Sequence, residues 1–167
     1  RHLSTATGGG VHKIEQICSP KLIAQFKEFV QDECGVTAIG AWLKIIEIAL
    51  KKINETDKAT LGMETLPEIK REFYKQWIPI RLGSEGTKLG CWRGYTWIPL
   101  ERAVYDFLAA LIHHQNRHVD HEMARTSKGN LHTLAKRLRT AIEPDKEDCI
   151  YVKNVKGEGY SLEHFVP

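Results

Sequence analysis

The stretch that most constrains the fold is residues 130–162, where a helical pattern is followed by a proline and then by a hairpin pattern. The apolar residues of the helical part keep the spacing of a single stripe, and they are Leu131, Leu134, Ala135, Leu138 and Ile142. Pro144 lacks an N–H and disfavours helix in the residue before it. The pattern therefore predicts a helix from Asn130 to Glu143 with one side buried.

The other side of this helix is cationic. At about 100° per residue, the side chains that point away from the stripe are Thr133, Lys136, Arg137 and Thr140, with His132 and Arg139 at its flanks. No acid occurs between Glu122 and Glu143. The helix thus combines a face that can pack against a core with an exposed face that can meet a polyanion.

A β-hairpin pattern follows the proline and a polar turn at residues 145–148. Residues 149–155 are rich in β-branched and aromatic side chains and predict a strand. Residues 156–159 contain glycines that suit a tight turn, and residues 160–162 resume the extended pattern. A helix that leads into a short hairpin with a basic tip has the outline of a winged helix-turn-helix.

Two motifs in this stretch resemble the OmpR-type DNA-binding domains of bacterial response regulators. Residues Tyr151–Leu162 resemble the closing wing of that family, with Lys156 where the family usually has arginine. Residues Leu138–Pro144 resemble the end of its recognition helix, which precedes the hairpin by a similar interval. The resemblance covers residues 89–163 and implies a winged helix that binds DNA.

The resemblance has three departures. No α/β receiver pattern with a phosphoacceptor aspartate occurs in the residues before 89, so two-component phosphorylation is not supported. The turn before the recognition helix is short where the family has a longer loop, and the middle of the helix carries different side chains. The base preferences of the family therefore cannot be carried over.

The elements before the recognition helix agree with this class. Residues 89–98 suggest two short strands, and Pro99 opens a helix with a buried face from Leu100 to Ile112. Residues 119–125 predict a short second helix capped by Asp120, and residues 126–129 predict the turn before the recognition helix. The order β-β-α-α-α-β-β fits a winged helix.

Residues 11–82 predict a separate helical module. Ser19-Pro20 starts a helix that Gly35 stops, Thr37 caps a second helix, and Thr65 starts a third. The second helix is apolar on more than one side, which favours a bundle core over a dimer contact. Residues 1–10 predict a flexible arm or leader, and residues 82–88 a boundary before a second domain at residues 86–167.

The composition limits the remaining functions. A net charge of only +3 does not by itself indicate a nucleic-acid partner. The four cysteines, at positions 18, 34, 91 and 149, lack paired spacing, which favours free thiols in a reducing compartment. The sequence shows no membrane span and no secretory signal. We therefore expect a cytoplasmic protein that associates with the nucleoid when it is bound.

The sequence offers little support for catalysis or metal binding. No nucleophile elbow, phosphate-binding loop or paired carboxylates occur, so we expect neither an enzyme nor a cofactor. Zinc could be held by histidines together with Cys91 or Glu122, and these histidines are His113, His114, His118 and His121. They lack a second ligand pair with standard spacing, which favours solvated loop histidines over a metal site.

The sequence thus predicts a mainly α protein with small β-hairpins, made of an N-terminal helical module and a C-terminal winged helix-turn-helix. We expect sequence-specific binding of double-stranded DNA by a transcriptional regulator, because a major groove about 12 Å wide admits one helix. The helical module would form a homodimer or dock a partner protein. The alternative is a winged helix that binds another protein within a larger assembly. The predicted DNA-binding residues are Ser127, Lys128, Asn130, His132, Thr133, Lys136, Arg137, Arg139, Thr140, Lys153, Asn154, Lys156, Gly157 and Tyr160. For two of them an alternative stays open: the Tyr160 ring could instead close the wing against the core, and Arg139 could brace the wing or pair with an acid.

Overall fold

The computed structural model describes residues 15–35, 38–55, 60–115 and 117–167, without the side chains at positions 38, 39, 41, 42, 45 and 46. The predicted arm at residues 1–10 and the cap at Thr37 lie outside these residues. The chain forms two compact units that divide between Tyr74 and Lys75. In the described ranges, no helix combines the length and the apolar character needed to cross a bilayer.

The first unit is helical. Helix α1 covers Pro20–Cys34, α2 covers Ala38–Glu55, a short 3-10 turn covers Met63–Thr65, and α3 covers Leu66–Trp77. The predicted ends of α1 are confirmed, because the Ser19 side chain accepts a hydrogen bond from the Leu22 N–H at 3.2 Å and Gly35 adopts a left-handed φ of 58°.

Aromatic rings join α1 to α3 in the core of this unit. The ring of Phe73 meets Phe26 and Phe29 edge-on, with centroids 5.7 Å and 5.4 Å apart. The Tyr74 hydroxyl donates to Glu33 Oε1 at 3.0 Å, so the polar end of this side chain is also satisfied. These contacts fix the first helix against the third.

The second unit begins with a three-stranded antiparallel sheet in the order β1-β2-β3. The strands are β1 Ile80–Glu85, β2 Lys88–Arg93 and β3 Thr96–Pro99. Residues 82–88, which the sequence assigns to a domain boundary, form the β1–β2 hairpin instead, with Gly86 at a φ of 60°. The sheet therefore has one strand more than the sequence predicts.

Two tryptophan rings explain how strands β1 and β2 form a stable sheet although each contains a glycine. Trp92 and Trp97 pair across β2 and β3, with ring centroids 5.1 Å apart. A Cβ added at Gly83 or Gly90 would come within 3.0 Å of these rings. Glycine is a poor strand former, but here the aromatic rings occupy the space that its missing side chain leaves.

Two helices and a second hairpin complete the unit. Helix α4 covers Arg102–His113, helix α5 covers Lys128–Ile142, and the strands β4 Val152–Val155 and β5 Gly159–Leu162 pair antiparallel. The apolar stripe of α5 is buried as predicted, at Leu131, Leu134, Ala135, Leu138 and Ile142. The positions of α5 and of the β4–β5 hairpin therefore agree with those predicted from the sequence to within a few residues.

The predicted second helix at residues 119–125 is wrong. Asp120 does accept a hydrogen bond from the Met123 N–H, at 2.8 Å, but only a single turn forms. Arg125 adopts a left-handed φ of 54°, which cannot continue a right-handed helix. The described part of this unit thus has the order β-β-β-α-turn-α-β-β, with two helices and two small antiparallel sheets.

The end of the chain returns to the first strand. The Ile80 N–H donates to the His164 carbonyl at 2.8 Å, and the Val166 N–H donates to the Ile80 carbonyl at 2.8 Å. The fully buried Tyr151 supports the same region, since its hydroxyl donates to the Ile78 carbonyl at 2.6 Å. These bonds tie residues after β5 to the start of β1.

Candidate nucleic-acid interface

The outward face of α5 is open to solvent. Its side chains Thr133, Lys136, Arg137 and Thr140 are all exposed, on the side opposite the buried stripe. Lys136 makes no hydrogen bond or ion pair with any residue that the structure describes. Arg137 Nη1 lies 3.4 Å from Glu101 Oε2, yet its side chain keeps 56% of its surface. Exposed ion pairs of this kind are weak, so both cations remain available to an anionic partner.

A shallow groove runs between this face and the start of α4. It encloses about 510 Å³, and its lining residues are Pro99, Leu100, Glu101, Val104, Thr133, Lys136, Arg137, Thr140 and Ala141. The floor is apolar and the rim carries two cations and one carboxylate. Glu101 stands just before α4, where its charge lies next to Arg137.

The first turn of α5 is held by its own side chains. Ser127 Oγ accepts a hydrogen bond from the Asn130 N–H at 3.2 Å and caps the helix. The Asn130 side-chain amide donates to Thr126 Oγ1, while Lys128 stays exposed. The free N–H groups at the start of α5 and the positive end of the helix dipole favour the binding of an anion at this site. The turn that the sequence places at residues 126–129 is thus already partly helix.

The β4–β5 hairpin, called the wing from here, carries the other predicted residues. Its tip is exposed at Asn154, Lys156 and Gly157, and Gly157 has a φ of 77° that suits glycine. Lys153 is only half-exposed, because its Nζ donates to the Cys149 carbonyl at 2.6 Å. Lys156 is therefore the cation that the wing presents outward.

Two of the predicted residues pack between α5 and the wing: Tyr160 is buried and Arg139 is half-buried. Tyr160 is only 4% exposed, and its ring meets that of Phe107 edge-on at 6.3 Å. The Arg139 guanidinium lies 5.4 Å from the Tyr160 ring centre and donates to the Val152 carbonyl at 3.2 Å. Both side chains join α5 to the wing.

Two histidines lie against the wing. His132 Nδ1 lies 2.5 Å from the Tyr160 hydroxyl, and His118 Nδ1 lies 3.4 Å from Glu158 Oε2. In the ranges with described coordinates, no three His, Cys, Asp or Glu side chains converge as metal ligands. Cys91, a candidate zinc ligand in the sequence, is fully buried within the sheet.

Glu143 is the structural residue that the sequence analysis missed. It is only 5% exposed, and its carboxylate accepts hydrogen bonds from the N–H groups of Ile150, Tyr151 and Val152 at 2.7–2.8 Å. Burial raises the pKa of Glu143, against the effects of these donors and of Lys153. The side chain thereby fixes where the wing begins relative to the end of α5.

The sequence did contain a signal for this role. A negative charge at the C-terminal end of a helix opposes the helix dipole. Glu143 occupies that position directly before Pro144, where solvent exposure or an alternative set of donors is required. An acid at a helix end, followed by proline and a strand, therefore indicates a side chain that bonds to the strand backbone.

Comparisons with known proteins find similarity only at the level of structure. No protein-family model and no curated protein matches the chain. A mutant of RitR is similar with a TM-score of 0.43 and 22% identity, over 63% of this chain and 55% of its own. The response regulator DrrB from Thermotoga maritima, an OmpR/PhoB homolog, is similar with a TM-score of 0.43 and 21% identity, over 70% and 61%. The chain thus spans less than two thirds of either protein, and at these TM-scores the likeness does not identify its function.

Proposed function

We propose that the protein binds double-stranded DNA with α5 and the wing, as a winged helix-turn-helix, and acts as a transcriptional regulator. The observation that carries this proposal is the open cationic face of α5, with Lys136 and Arg137 exposed, on a helix without any acid from Lys128 to Ile142. The wing extends the same charge with Lys156.

The proposed contacts follow from the dimensions and chemistry of the duplex. The exposed face of α5 enters the major groove, where Arg137 can donate two hydrogen bonds to a guanine edge. Thr133, Lys136 and Thr140 contact neighbouring base edges or groove walls. Lys128 and the first turn of α5 bind a phosphate, assisted by the free N–H groups there.

The wing and its support have different parts in this proposal. Asn154, Lys156 and Gly157 reach the backbone or the adjacent minor groove from the exposed tip. Arg139, Lys153 and Tyr160, which are half-exposed or buried, act from behind this surface by holding the wing in place.

Fluorescence anisotropy with labelled duplexes over a salt series tests the proposal. Wild-type affinity should fall steeply with salt; Lys136→Ala, which removes a cation at the groove wall, should lower the salt slope by about one unit, and Arg137→Ala should weaken binding through the lost guanine contact. Lys88→Ala is the matched control, because Lys88 is an exposed lysine in the β1–β2 hairpin and should leave the slope unchanged. An absence of binding at low salt, or equal effects of all three variants, would refute the proposal.

Sequence specificity needs its own measurement. Selection from a random duplex library should yield a preferred site for the wild type, because side chains at base edges discriminate by about 1–3 kcal/mol for each bidentate pair. Arg137→Ala should relax the preference at one position, whereas a phosphate contact such as Lys128 should weaken all sequences alike. A library without enrichment would contradict sequence-specific binding.

We propose a second role for the helical unit, which is to form a homodimer or to dock a partner protein. Leu43 on α2 is a large apolar side chain that is 55% exposed, on a helix that buries Ile48 and Ala49, and it offers an apolar contact point to a partner. Sedimentation equilibrium of the wild type and of Leu43→Ser tests this role. A monomeric wild type would exclude the homodimer and leave partner docking, which affinity capture with Leu43→Ser as the control then tests.

One observation favours the alternative function, a protein-interaction module. The groove beside α5 has an apolar floor, formed in part by Leu100, Val104 and Ala141, that a nucleic acid does not need. An acidic, partly apolar peptide would fit both the floor and the cations at the rim. Protein capture that survives Lys128→Ala and Lys156→Ala, with no shift of duplex DNA, would favour this alternative over DNA binding.

A further inference from the structure

We propose that Tyr160 is a positioning residue that turns the Nε2–H of His132 outward, as a hydrogen-bond donor to a DNA phosphate. The proposal rests on the function proposed above, and it assigns a chemical task to a buried side chain of the wing. Three features of the structure carry it: the burial of Tyr160, the contact of its hydroxyl with His132, and the exposure of His132 itself.

The ring of Tyr160 is held on several sides. Phe107 meets it edge-on from α4, with centroids 6.3 Å apart, and the Arg139 guanidinium lies over its face at 5.4 Å. The backbone of Tyr160 also pairs with Val119, whose N–H donates to the Tyr160 carbonyl at 2.6 Å. The hydroxyl at the end of this ring is therefore placed by packing and has little freedom to move.

The hydroxyl meets one nitrogen of His132 and leaves the other one outside. His132 Nδ1 lies 2.5 Å from the Tyr160 oxygen, with the two rings nearly perpendicular at 82°. His132 is nonetheless an exposed residue of α5, at the flank of the buried stripe and on the side that faces the wing. Nε2 is thus the ring nitrogen that remains for an external partner.

The hydrogen bond between Tyr160 and His132 indicates which ring nitrogen of His132 carries the proton. An imidazole nitrogen without a proton accepts a hydrogen bond more strongly than a phenolic oxygen does, and a phenol O–H donates more strongly than an imidazole N–H, which favours a bond from the Tyr160 hydroxyl to His132 Nδ1. If the phenol donates to Nδ1, each group makes the bond that its chemistry allows and the imidazole proton lies on Nε2. His132 then presents a fixed N–H, and that N–H can donate to an acceptor oxygen.

The place of His132 selects a phosphate oxygen as its partner. The side chain flanks the apolar stripe on the wing side of α5, away from the middle of the outward face where Lys136 and Arg137 lie. Lys128, one turn earlier, lines the same cleft as His132. A donor at the rim of a recognition helix meets the duplex backbone before it meets a base edge.

A double-mutant cycle of DNA affinity at about pH 8, where an ordinary imidazole is neutral, tests the inference. Tyr160→Phe keeps the ring and removes the hydroxyl, and it should weaken binding between about two- and tenfold. His132→Ala should weaken binding by a similar factor, and the double variant should be no weaker than His132→Ala alone. Independent, multiplying losses would show that Tyr160 acts only by supporting the wing and would overturn the inference.

Tyr151→Phe is the matched control for the loss of a buried tyrosine hydroxyl. Its hydroxyl donates to the Ile78 carbonyl at 2.6 Å, so the variant loses a comparable bond in the same unit. It should lower the melting temperature about as much as Tyr160→Phe and leave DNA affinity unchanged. An equal loss of affinity in both variants would mean that stability, not positioning, sets the effect.

Two further readouts separate the proposed contact from its rivals. Because a neutral donor adds no charge, His132→Ala should leave the salt slope unchanged, whereas Lys136→Ala lowers it. His132→Ala should also lose the same factor of affinity on duplexes of unlike sequence. A loss on one sequence alone would indicate a contact of His132 with a base and would overturn the assignment to a phosphate. Imidazole ¹⁵N shifts of the free protein should show the proton on Nε2 of His132; a proton on Nδ1 would refute the tautomer.

The failure of this inference is distinguishable from failure of the proposed function. Salt-dependent binding by the wild type, together with unchanged affinity in Tyr160→Phe, refutes the positioning role and leaves DNA binding standing. A wild type that binds no duplex DNA at low salt refutes both.

Discussion

Replacement of Glu143 by alanine tests the physical account of how the wing is joined to α5. The Glu143 carboxylate accepts three backbone hydrogen bonds, from Ile150, Tyr151 and Val152, at 2.7–2.8 Å. Ile150 and Tyr151 lead into β4, and Val152 is its first residue. Alanine removes every acceptor at once and leaves the donors buried.

The size of the effect follows from these contacts. Each buried N–H left without a partner costs about 1–3 kcal/mol. The exposed turn at residues 144–148 allows water to reach part of the vacated site, so the three losses do not add in full. We expect Glu143→Ala to lower the free energy of unfolding by about 3–5 kcal/mol, among the larger effects of a single substitution.

Urea denaturation followed by circular dichroism measures the total effect, and hydrogen exchange locates it. Amide protection should fall first at residues 150–152, which lose their acceptors. Glu147→Ala is the control, because this exposed acid in the adjacent turn should change the free energy of unfolding by less than about 0.5 kcal/mol. A loss below about 1 kcal/mol for Glu143→Ala, with unchanged protection at these amides, would refute the reasoning.

The pH dependence of Glu143 has a definite sign. Burial raises the pKa of Glu143 above 4.5 in the folded protein, so its contribution to stability is fully present below the unfolded pKa and is lost as pH rises through the folded pKa. The unfolding free energy of the wild type should therefore fall with pH relative to Glu143→Gln, measured by urea titration from about pH 4 to pH 8. A difference that grows with pH would mean that the N–H donors outweigh burial.

Two predictions concern the wing and the thiols. Gly159→Ala should lower the free energy of unfolding by about 2–4 kcal/mol, because the residue has a φ of 128° and a Cβ would collide with the Val119 carbonyl. Gly157→Ala is the control and should cost about 1 kcal/mol, because a Cβ there would lie in open space. Equal losses of stability in thermal melts of the two variants would contradict this. N-ethylmaleimide should label half-buried Cys149 well before buried Cys91, because burial raises the pKa of Cys91 to about 12. Peptide mass spectrometry measures the two rates, and faster labelling of Cys91 would show that the sheet opens.

Local patterns predicted the elements that depend on local chemistry. The Ser19 cap, the Gly35 stop, the buried stripe of α5 and the hairpin after Pro144 all follow from spacing and capping rules, and the structure has each of them. The end of α5 is set within a residue or two, because proline acts on its immediate neighbour.

The elements that the sequence missed depend on distant partners. Strand β1 contains a glycine and follows a proline, and it holds because β2 pairs with it and tryptophan rings cover the glycines. The absent second helix has an adequate cap at Asp120, but the chain turns at Arg125 to reach the Ser127 cap of α5. Short segments with competing signals are decided by what surrounds them.

The same distinction applies to the candidate site. Helical periodicity was enough to place Lys136 and Arg137 outward, where the structure has them. Periodicity was not enough to show that Lys156 is exposed and Tyr160 is buried, because both occur in one hairpin motif. The packing of the Tyr160 ring against Phe107 decides that this side chain turns inward. The assignment of these residues to DNA stays a prediction.

The backbone pairing of Ile80 with residues 164–166 has a consequence for how the second unit can be rebuilt. The backbone that enters β1 and the backbone that follows β5 lie side by side, so a short linker could join them and the polypeptide could be reopened at the solvent-exposed Gly86 turn. Such a circular permutant would keep β1, β2 and the wing in register while exchanging which segment leaves the ribosome first.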